Sequence, residues 1–404
     1  MEDKMISGKD IVIVGLQSWD ITIGSNCKNI ATELARHNRV LYVNRAPDRI
    51  SLIRSRKDPK VRHAVDSLRK KTADLQQISD TMWTLAPRTL LESVTWIPFT
   101  GLFDYCNRVN NQRIATEINK ATQQLGFSDI ILFTDNDFFR AFYLPEMLQN
   151  ISGSIYYIRD NLTSQPYFKK HGGRLERALM KKSTMVAANS AYLANYARQY
   201  NPASFDIGQG CDFDYLPAVS PSRTPDSIAH YPPPVIGYVG ALTATRLSIP
   251  ILEQIATQRP AWNIVLVGPE DDAFKNSSLH QLPNVHFIGS KAPAVLPAYI
   301  ATFDVCINPQ ALNEMTIGNY PRKIDEYLAM GKPVVATHTE TMQLFADYVS
   351  LCHDADGYIT AIENILSQPE NPEVIAGRKT FALSHTWANS VALMSSHYQS
   401  LVNQ

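Results

Sequence analysis

Cysteine is scarce in this chain and follows no pattern. Its five cysteines, Cys27, Cys106, Cys211, Cys306 and Cys352, lie far apart. They form no CxxC pair, and an odd, scattered set argues against a disulfide framework and fits a reducing cytoplasm. Long apolar runs are missing too: none approaches the roughly 18 residues of a membrane span. The opening Met1-Glu2-Asp3-Lys4-Met5-Ile6-Ser7 is charged and leads straight into a predicted strand, so no signal peptide is expected. There is no excess charge of either sign, with 38 Lys and Arg against 38 Asp and Glu. Global charge therefore gives no reason to expect a nucleic-acid partner. GxGxxG is absent, so no dinucleotide is expected at the first strand–helix turn. His171 and His338 lack metal-ligand spacing and read as structural or incidental.

What is present is a repeated alternation of apolar strands and helices. At 404 residues the chain is too long for one core, and two domains are expected. Asp10 to Gly15 reads as a buried strand, Cys27 to His37 as a helix and Arg39 to Val43 as a second strand. This is the opening of a parallel sheet. Ligands bind at the carboxyl ends of such strands, which makes the polar loop through Trp19 and Asp20 a candidate site wall. Further strands are predicted at Thr81 to Ala86, Ile130 to Thr134, Ser154 to Ile158 and Met185 to Asn189, with a helix over Phe103 to Gln124. Pro217, Pro221, Pro225, Pro232, Pro233 and Pro234 then mark a linker over 217–234, since such a run cannot enter a sheet or helix interior. The pattern restarts with strands at Val235 to Val239, Asn263 to Val267, Val285 to Ile288, Asp304 to Asn308 and Val334 to Thr337. The expected fold class is α/β, with two doubly wound, Rossmann-like domains facing each other across a cleft. The tail from Thr386 reads as a helix with Trp387, Val391, Met394 and Tyr398 on one side.

Two local features invite a functional reading. From Arg45 to Lys71 the chain is basic, with apolar residues interleaved. Such a segment suits either an anionic membrane surface or a solvated insertion. Asp135-Asn136-Asp137 is a literal DxD after a buried strand, which one class of sugar transferases uses to hold a metal and a nucleotide. Aspartates are also ordinary strand-end residues.

The stretch from Asn319 to Thr337 organises the second half. Ile324, Tyr327 and Leu328 have core-facing helical spacing. Pro321 fits a first helical turn, and Gly331 with Pro333 ends the helix before the strand Val334-Val335-Ala336. Lys323 and Glu326 are three apart and share a face. An ammonium near a helix start and a carboxylate one turn on suit the diphosphate and ribose of a nucleotide sugar. An ordinary surface pair would look the same.

Pro321-x-Lys323-x-x-Glu326-Tyr-Leu-Ala-x-Gly-x-Pro-Val-Val, with Val235-x-Gly237-Tyr-Val-Gly240 and Pro283-Asn284-Val285-His286-x-x-Gly289 before it, resembles the GT-B glycosyltransferases. It looks most like bacterial exopolysaccharide and teichuronic-acid-type transferases. The resemblance implies an acceptor-binding domain over 1–216, a nucleotide-sugar-binding domain over 235–385 and a last helix, 386–404, returning to the first domain. It further implies that Glu326 binds the donor ribose, Lys323 and Arg246 the diphosphate, that Gly240 admits close approach of that phosphate, and that residues around Phe287 to Ser290, Gly289 included, hold the base. Many retaining members carry a second glutamate where this chain has Gly318. Glu314 lies out of register. An inverting reaction with Asp160 as general base is therefore expected, and Asp20 is the reserve. No cofactor and no metal are expected.

The expected activity is transfer of a sugar from a nucleotide-sugar donor to a lipid-linked or polysaccharide acceptor. It would take place in the cytoplasm, at the inner membrane face, with 45–71 meeting the lipid surface. Three other readings stay open: a relative that processes its own nucleotide sugar, such as a 2-epimerase; a non-catalytic binding subunit; and a metal-dependent transferase built on Asp135 and Asp137.

Overall fold

A computed structural model of the protein describes residues 5–20, 25–54, 74–213 and 224–403. The chain divides into two compact units, residues 1–208 with 387–404 and residues 209–386.

Unit 1 holds an eight-stranded sheet: β1 Asp10–Gly15, β2 Arg39–Val43, β3 Asp74–Ser79, β4 Met82–Ala86, β5 Ile130–Asp135, β6 Ile151–Ile158, β7 Met185–Ala188 and β8 Ser204–Asp206. Their order is β3-β4-β2-β1-β5-β6-β7-β8, and only the β3–β4 pairing is antiparallel. The central strands read as unbroken apolar runs because helices cover both faces. Ile11 and Ile13 point into one cluster with Ile30 and Leu34 of the helix Asn26–Ala35. Val12 and Val14 point into another with Ile114 and Ile118 of the helix Thr100–Gln124.

Unit 2 holds a six-stranded sheet: β9 Val235–Val239, β10 Asn263–Val267, β11 Val285–Phe287, β12 Val305–Asn308, β13 Val334–Thr337 and β14 Val349–Cys352. All its pairings are parallel. Its order, β11-β10-β9-β12-β13-β14, is that of the dinucleotide-type doubly wound sheet, which reverses direction between its first and fourth strands. The reversal falls between β9 and β12. In unit 1 the corresponding reversal falls between β1 and β5.

Both predicted sheets are present, and three strands went unread: β3, β8 and β14. Each is the outermost strand at one end of its sheet. An edge strand has one unpaired flank and needs less apolar sequence, and Asp74-Leu-Gln-Gln-Ile-Ser79 carries little.

The chain crosses between units at Gly208–Gln209, ahead of the proline-rich run expected to mark the boundary. Where described, that run belongs to unit 2: Ile228 is buried in its core and Tyr231 packs on the same cluster. The helix Trp387–Val402 lies in unit 1, and Trp387, Val391, Met394 and Tyr398 all enter one cluster there. Tyr398 needs the missing side chain at Gly153, where a Cβ would collide with its hydroxyl. No helix among the described residues is long and apolar enough to cross a membrane. Of the basic stretch 45–71, residues 55–71 lie outside the described residues.

Candidate functional site

In doubly wound sheets ligands sit outside the carboxyl ends of the strands where the order reverses. In unit 2 that point is the end of β9, and Gly240 follows it with φ +144°. Its N–H donates to the Val267 carbonyl at 2.9 Å. A Cβ on Gly268 would stand 1.9 Å from the Gly240 carbonyl, so two backbone turns touch there.

Lys323 opens the helix Lys323–Ala329. Its ammonium donates to the Tyr238 hydroxyl and lies 4.1 Å from that ring's centroid. A Cβ on Gly240 would come within 2.8 Å of Lys323 Nζ. The structure thus brings two predicted residues, Gly240 and Lys323, into direct proximity at the reversal point. Tyr238, the platform between them, was not predicted. It reads as an ordinary core residue of β9 because its ring is buried there.

The helix is held in place on several sides. Ile324, Tyr327 and Leu328 are fully buried. The Tyr327 hydroxyl accepts the Val239 N–H at 2.9 Å, which pins the helix to the end of β9. Asp325, also fully buried, accepts from the Tyr320 hydroxyl at 2.8 Å and the Cys211 thiol at 3.3 Å. His385 Nδ1 lies 2.7 Å from its other oxygen. The helix ends as predicted. Gly331 has φ +78°, its N–H donates to Leu328, and the Lys332 N–H donates to Tyr327, the paired bonds of a Schellman cap. Pro321 sits just ahead of the helix rather than in its first turn, and its carbonyl accepts the Ile324 N–H at 2.9 Å. Glu326 lies one turn after Lys323 and is partly exposed.

Arg246 is exposed on the loop after β9. That loop is tied to the chain after β12: Ala311 N–H donates to the Arg246 carbonyl at 2.9 Å and Asn313 Nδ2 to the Thr245 carbonyl at 2.8 Å. Glu314 follows Asn313 and so lies beside this junction. Gly289 follows β11 with φ +72° and open space around it. Two buried polar atoms at this edge, Asn308 Nδ2 and Thr243 Oγ1, have no hydrogen-bond partner among the described residues. Buried polar groups are normally paired.

At the carboxyl edge of the unit 1 sheet, Trp19 N–H donates to Asn44 Oδ1 at 2.7 Å and its ring meets Tyr42 edge-on at 5.3 Å. Asp20 beside it is exposed. Asp160 follows β6 and is ion-paired to Arg159 Nη1 at 2.9 Å. Arg159 Nε also reaches the fully buried Asp135, at 2.8 Å. Burial works against the Arg159 charge, but Asp135 and Asp160 together push its pKa up. Asp137 stands 2.6 Å from Arg140. Both carboxylates of the DxD stretch are thus engaged by guanidinium groups. No group of three or more His, Cys, Asp or Glu among the described residues could hold a metal ion. His171 is buried, stacked on Phe103 at 4.0 Å and bonded to the Ile97 carbonyl at 2.9 Å, a structural role.

Comparison with known proteins agrees with this architecture. Residues 233–368 match the family of glycosyl transferases group 1. A Bacillus subtilis (strain 168) protein, named as a candidate teichuronic acid biosynthesis glycosyltransferase, is 32% identical over 162 residues, which is 38% of this chain and 40% of that one. Among solved structures, sucrose-phosphate synthase from Thermosynechococcus elongatus superposes with a TM-score of 0.64 at 15% identity over 98% of this chain and 99% of its own. HepE from Anabaena in complex with UDP gives 0.63 at 14% identity over 98% and 100%. Trehalose 6-phosphate synthase from Burkholderia multivorans gives 0.65 at 10% over 98% and 99%. The fold of this chain is that of the GT-B glycosyltransferases, with the group 1 match lying inside unit 2.

Proposed function

We propose that this protein is a glycosyltransferase that moves a sugar from a nucleotide-sugar donor to a lipid-linked or polysaccharide acceptor of the bacterial cell surface. The observation that carries this is the Lys323 ammonium held by Tyr238 over the Gly240 turn, at the reversal point of a doubly wound sheet. A fixed cation beside a backbone turn without a side chain suits a diphosphate. Glu326, one turn on, would take the ribose hydroxyls. The UDP complex of HepE supports a nucleotide donor for a chain of this fold, and the teichuronic-acid-type relative supports a cell-surface glycan product.

In the inverting reaction we infer, an acceptor hydroxyl oxygen bonds to the anomeric carbon as the bond from that carbon to the diphosphate breaks. Asp160 takes the hydroxyl proton and later gives it to water. The negative charge left on the nucleoside diphosphate is met by Lys323 and Arg246, which stabilise it electrostatically without a metal. Arg159 fixes the orientation of Asp160.

A thermal-shift panel of UDP-, GDP-, dTDP- and ADP-sugars, with and without EDTA, tests the reading, because a bound donor raises Tm by mass action. One nucleotide class should shift Tm without metal, and Glu326→Ala should abolish the shift. Asp160→Asn should keep the shift and lose turnover. A shift that needs metal and ignores Glu326 would overturn the donor site.

A further inference from the structure

Among the described residues, three that are not glycine have a left-handed backbone: Asp129, Asn136 and Asn150. Asp129 and Asn150 are exposed, and each directly precedes a strand of the unit 1 sheet. Asn136 differs from both. It follows β5 at the carboxyl edge, has φ +53° and is fully buried. Residues held in sparsely populated backbone conformations cluster at functional sites. Glycine would suit this backbone as well as asparagine does, so what the asparagine adds is its amide. Its Nδ2 donates to the Asp160 carbonyl at 3.1 Å. That carbonyl already accepts the Leu162 N–H at 2.9 Å, so it does not need the bond to be satisfied. Nor does Asn136 need it to stay in the sheet, because its own N–H donates to the Tyr157 carbonyl at 2.9 Å. On its other side, the Tyr156 hydroxyl stands 3.5 Å from Asn136 Oδ1.

The residue before it holds the other end of Asp160. Asp135 is the last residue of β5 and is fully buried. It accepts Arg159 Nε at 2.8 Å and Nη2 at 3.4 Å. The same guanidinium gives its Nη1 to Asp160 Oδ2 at 2.9 Å. A planar fork bonded along one edge to a buried carboxylate has a fixed orientation, so its remaining nitrogen fixes a direction for Asp160. The room for Asp135 comes from β1. Gly15 is in register with it, and a Cβ there would stand 3.3 Å from Asp135 and 2.9 Å from Cys27 Sγ. Asp160 is thus tied at its main chain by Asn136 and at its carboxylate, through Arg159, by Asp135. Its side chain stays 23% exposed, open to a substrate hydroxyl.

We propose that Asn136 is a positioning residue that sets where the Asp160 carboxylate stands, while Asp135, through Arg159, sets where it points. The first two residues of the Asp135-Asn136-Asp137 stretch then form the mount of the base. The inference rests on the transferase reading, in which Asp160 takes the proton of the acceptor hydroxyl. Asn136 acts only through Asp160, and a base moved by about 1 Å loses rate by about hundredfold.

A double-mutant cycle on the full chain tests this. Turnover is read as nucleoside diphosphate released from the donor that shifts Tm, with a bacterial membrane lipid extract as acceptor. Asn136→Gly keeps the left-handed backbone and deletes the amide. It should lower kcat by about tenfold to hundredfold and leave the donor KM and the donor-induced Tm shift unchanged. Combined with Asp160→Asn it should cost nothing more, because a residue that acts through Asp160 has nothing left to position. A merely structural role would instead lower both variants by the same factor. If the glycine variant fails to fold, Asn136→Asp, equal in size and also tolerant of left-handed backbone, removes the amide in its place and should give the same cycle. Parent-like turnover in the single variant, or a full further loss in the double variant, overturns the proposal. If Asp160→Asn loses turnover while the Asn136 variants keep it, only this inference falls. If Asp160→Asn keeps turnover, or the parent chain releases no nucleoside diphosphate from any donor, the transferase reading as stated falls and takes this inference with it.

Discussion

Glu176 gives the sharpest thermodynamic prediction. It is 1% exposed and accepts from the Tyr156 hydroxyl at 3.0 Å and the Tyr196 hydroxyl at 3.5 Å. Burial pushes its pKa up from 4.5 to about 7, and the hydrogen bonds from the two tyrosines offset only part of that. Between those two values the folded chain holds a proton that the unfolded chain has released. The proton's contribution to stability is complete below about 4.5 and is lost as pH rises through about 7. At 1.36 kcal/mol for each pH unit, the loss is about 3 kcal/mol. Glu176→Gln removes the titration but keeps the shape, a carbonyl acceptor for Tyr156 and an amide that can donate to a rotated tyrosine hydroxyl. At pH 5 the variant should match the parent protein to within about 1 kcal/mol, the worth of one neutral hydrogen bond. At pH 8 it should be more stable by about 3 kcal/mol. Urea unfolding of both proteins at pH 5, 6, 7 and 8 reads the difference directly. A gap that stays constant across this range would refute the reasoning, because a purely steric or hydrogen-bonding effect carries no pH dependence.

Two further predictions concern unit 2. Gly240→Ala puts a methyl group 2.8 Å from Lys323 Nζ and 2.9 Å from the Tyr238 hydroxyl, at a φ of +144°. Strain of about 1–3 kcal/mol is expected, and nucleotide-sugar affinity measured by calorimetry should fall by about tenfold or more as the ammonium is displaced; unchanged affinity would separate Gly240 from the donor site. Asp325→Ala leaves the Tyr320 hydroxyl and His385 without their buried acceptor. It should destabilise the chain to urea by about 3 kcal/mol, with Tyr320→Phe costing about half as much; a loss below about 1 kcal/mol would mean that the cluster is not a structural anchor.

The sheets were legible because buried parallel strands are written as short apolar runs, as in Asp10-Ile-Val-Ile-Val-Gly15. Three of the four edge strands were not, because β3, β8 and β14 need only one covered flank. The division between units touches a related point. Prolines exclude regular structure but not burial, and Ile228 draws part of the proline-rich run into the unit 2 core. In the candidate site, Lys323, Glu326, Gly240 and Gly331 carry signals that survive in one dimension: helical spacing, a chain turn, a helix stop. Tyr238 and Asp325 carry none. Each lies in a run whose periodicity says core, and its polar atom finds a partner only through folding.

The heptapeptide Lys323-Ile324-Asp325-Glu326-Tyr327-Leu328-Ala329 shows why the legible and illegible parts belong together. A helix of two turns is marginal in isolation, and this one is held by Ile324, Tyr327, Leu328 and Ala329 in the unit 2 core. Two polar anchors that flank Glu326 add to this packing. Tyr327 binds the backbone at the end of β9. Asp325 binds Tyr320, Cys211 and His385, where the Cys211 N–H also donates to the His385 carbonyl at 2.8 Å. With both in place, the remaining residues one turn apart, Lys323 and Glu326, are left on the face away from the core. Inward anchors and the outward Lys323 and Glu326 thus alternate within five residues, so the residues beside Glu326 are the ones that tie the helix to the unit 2 core.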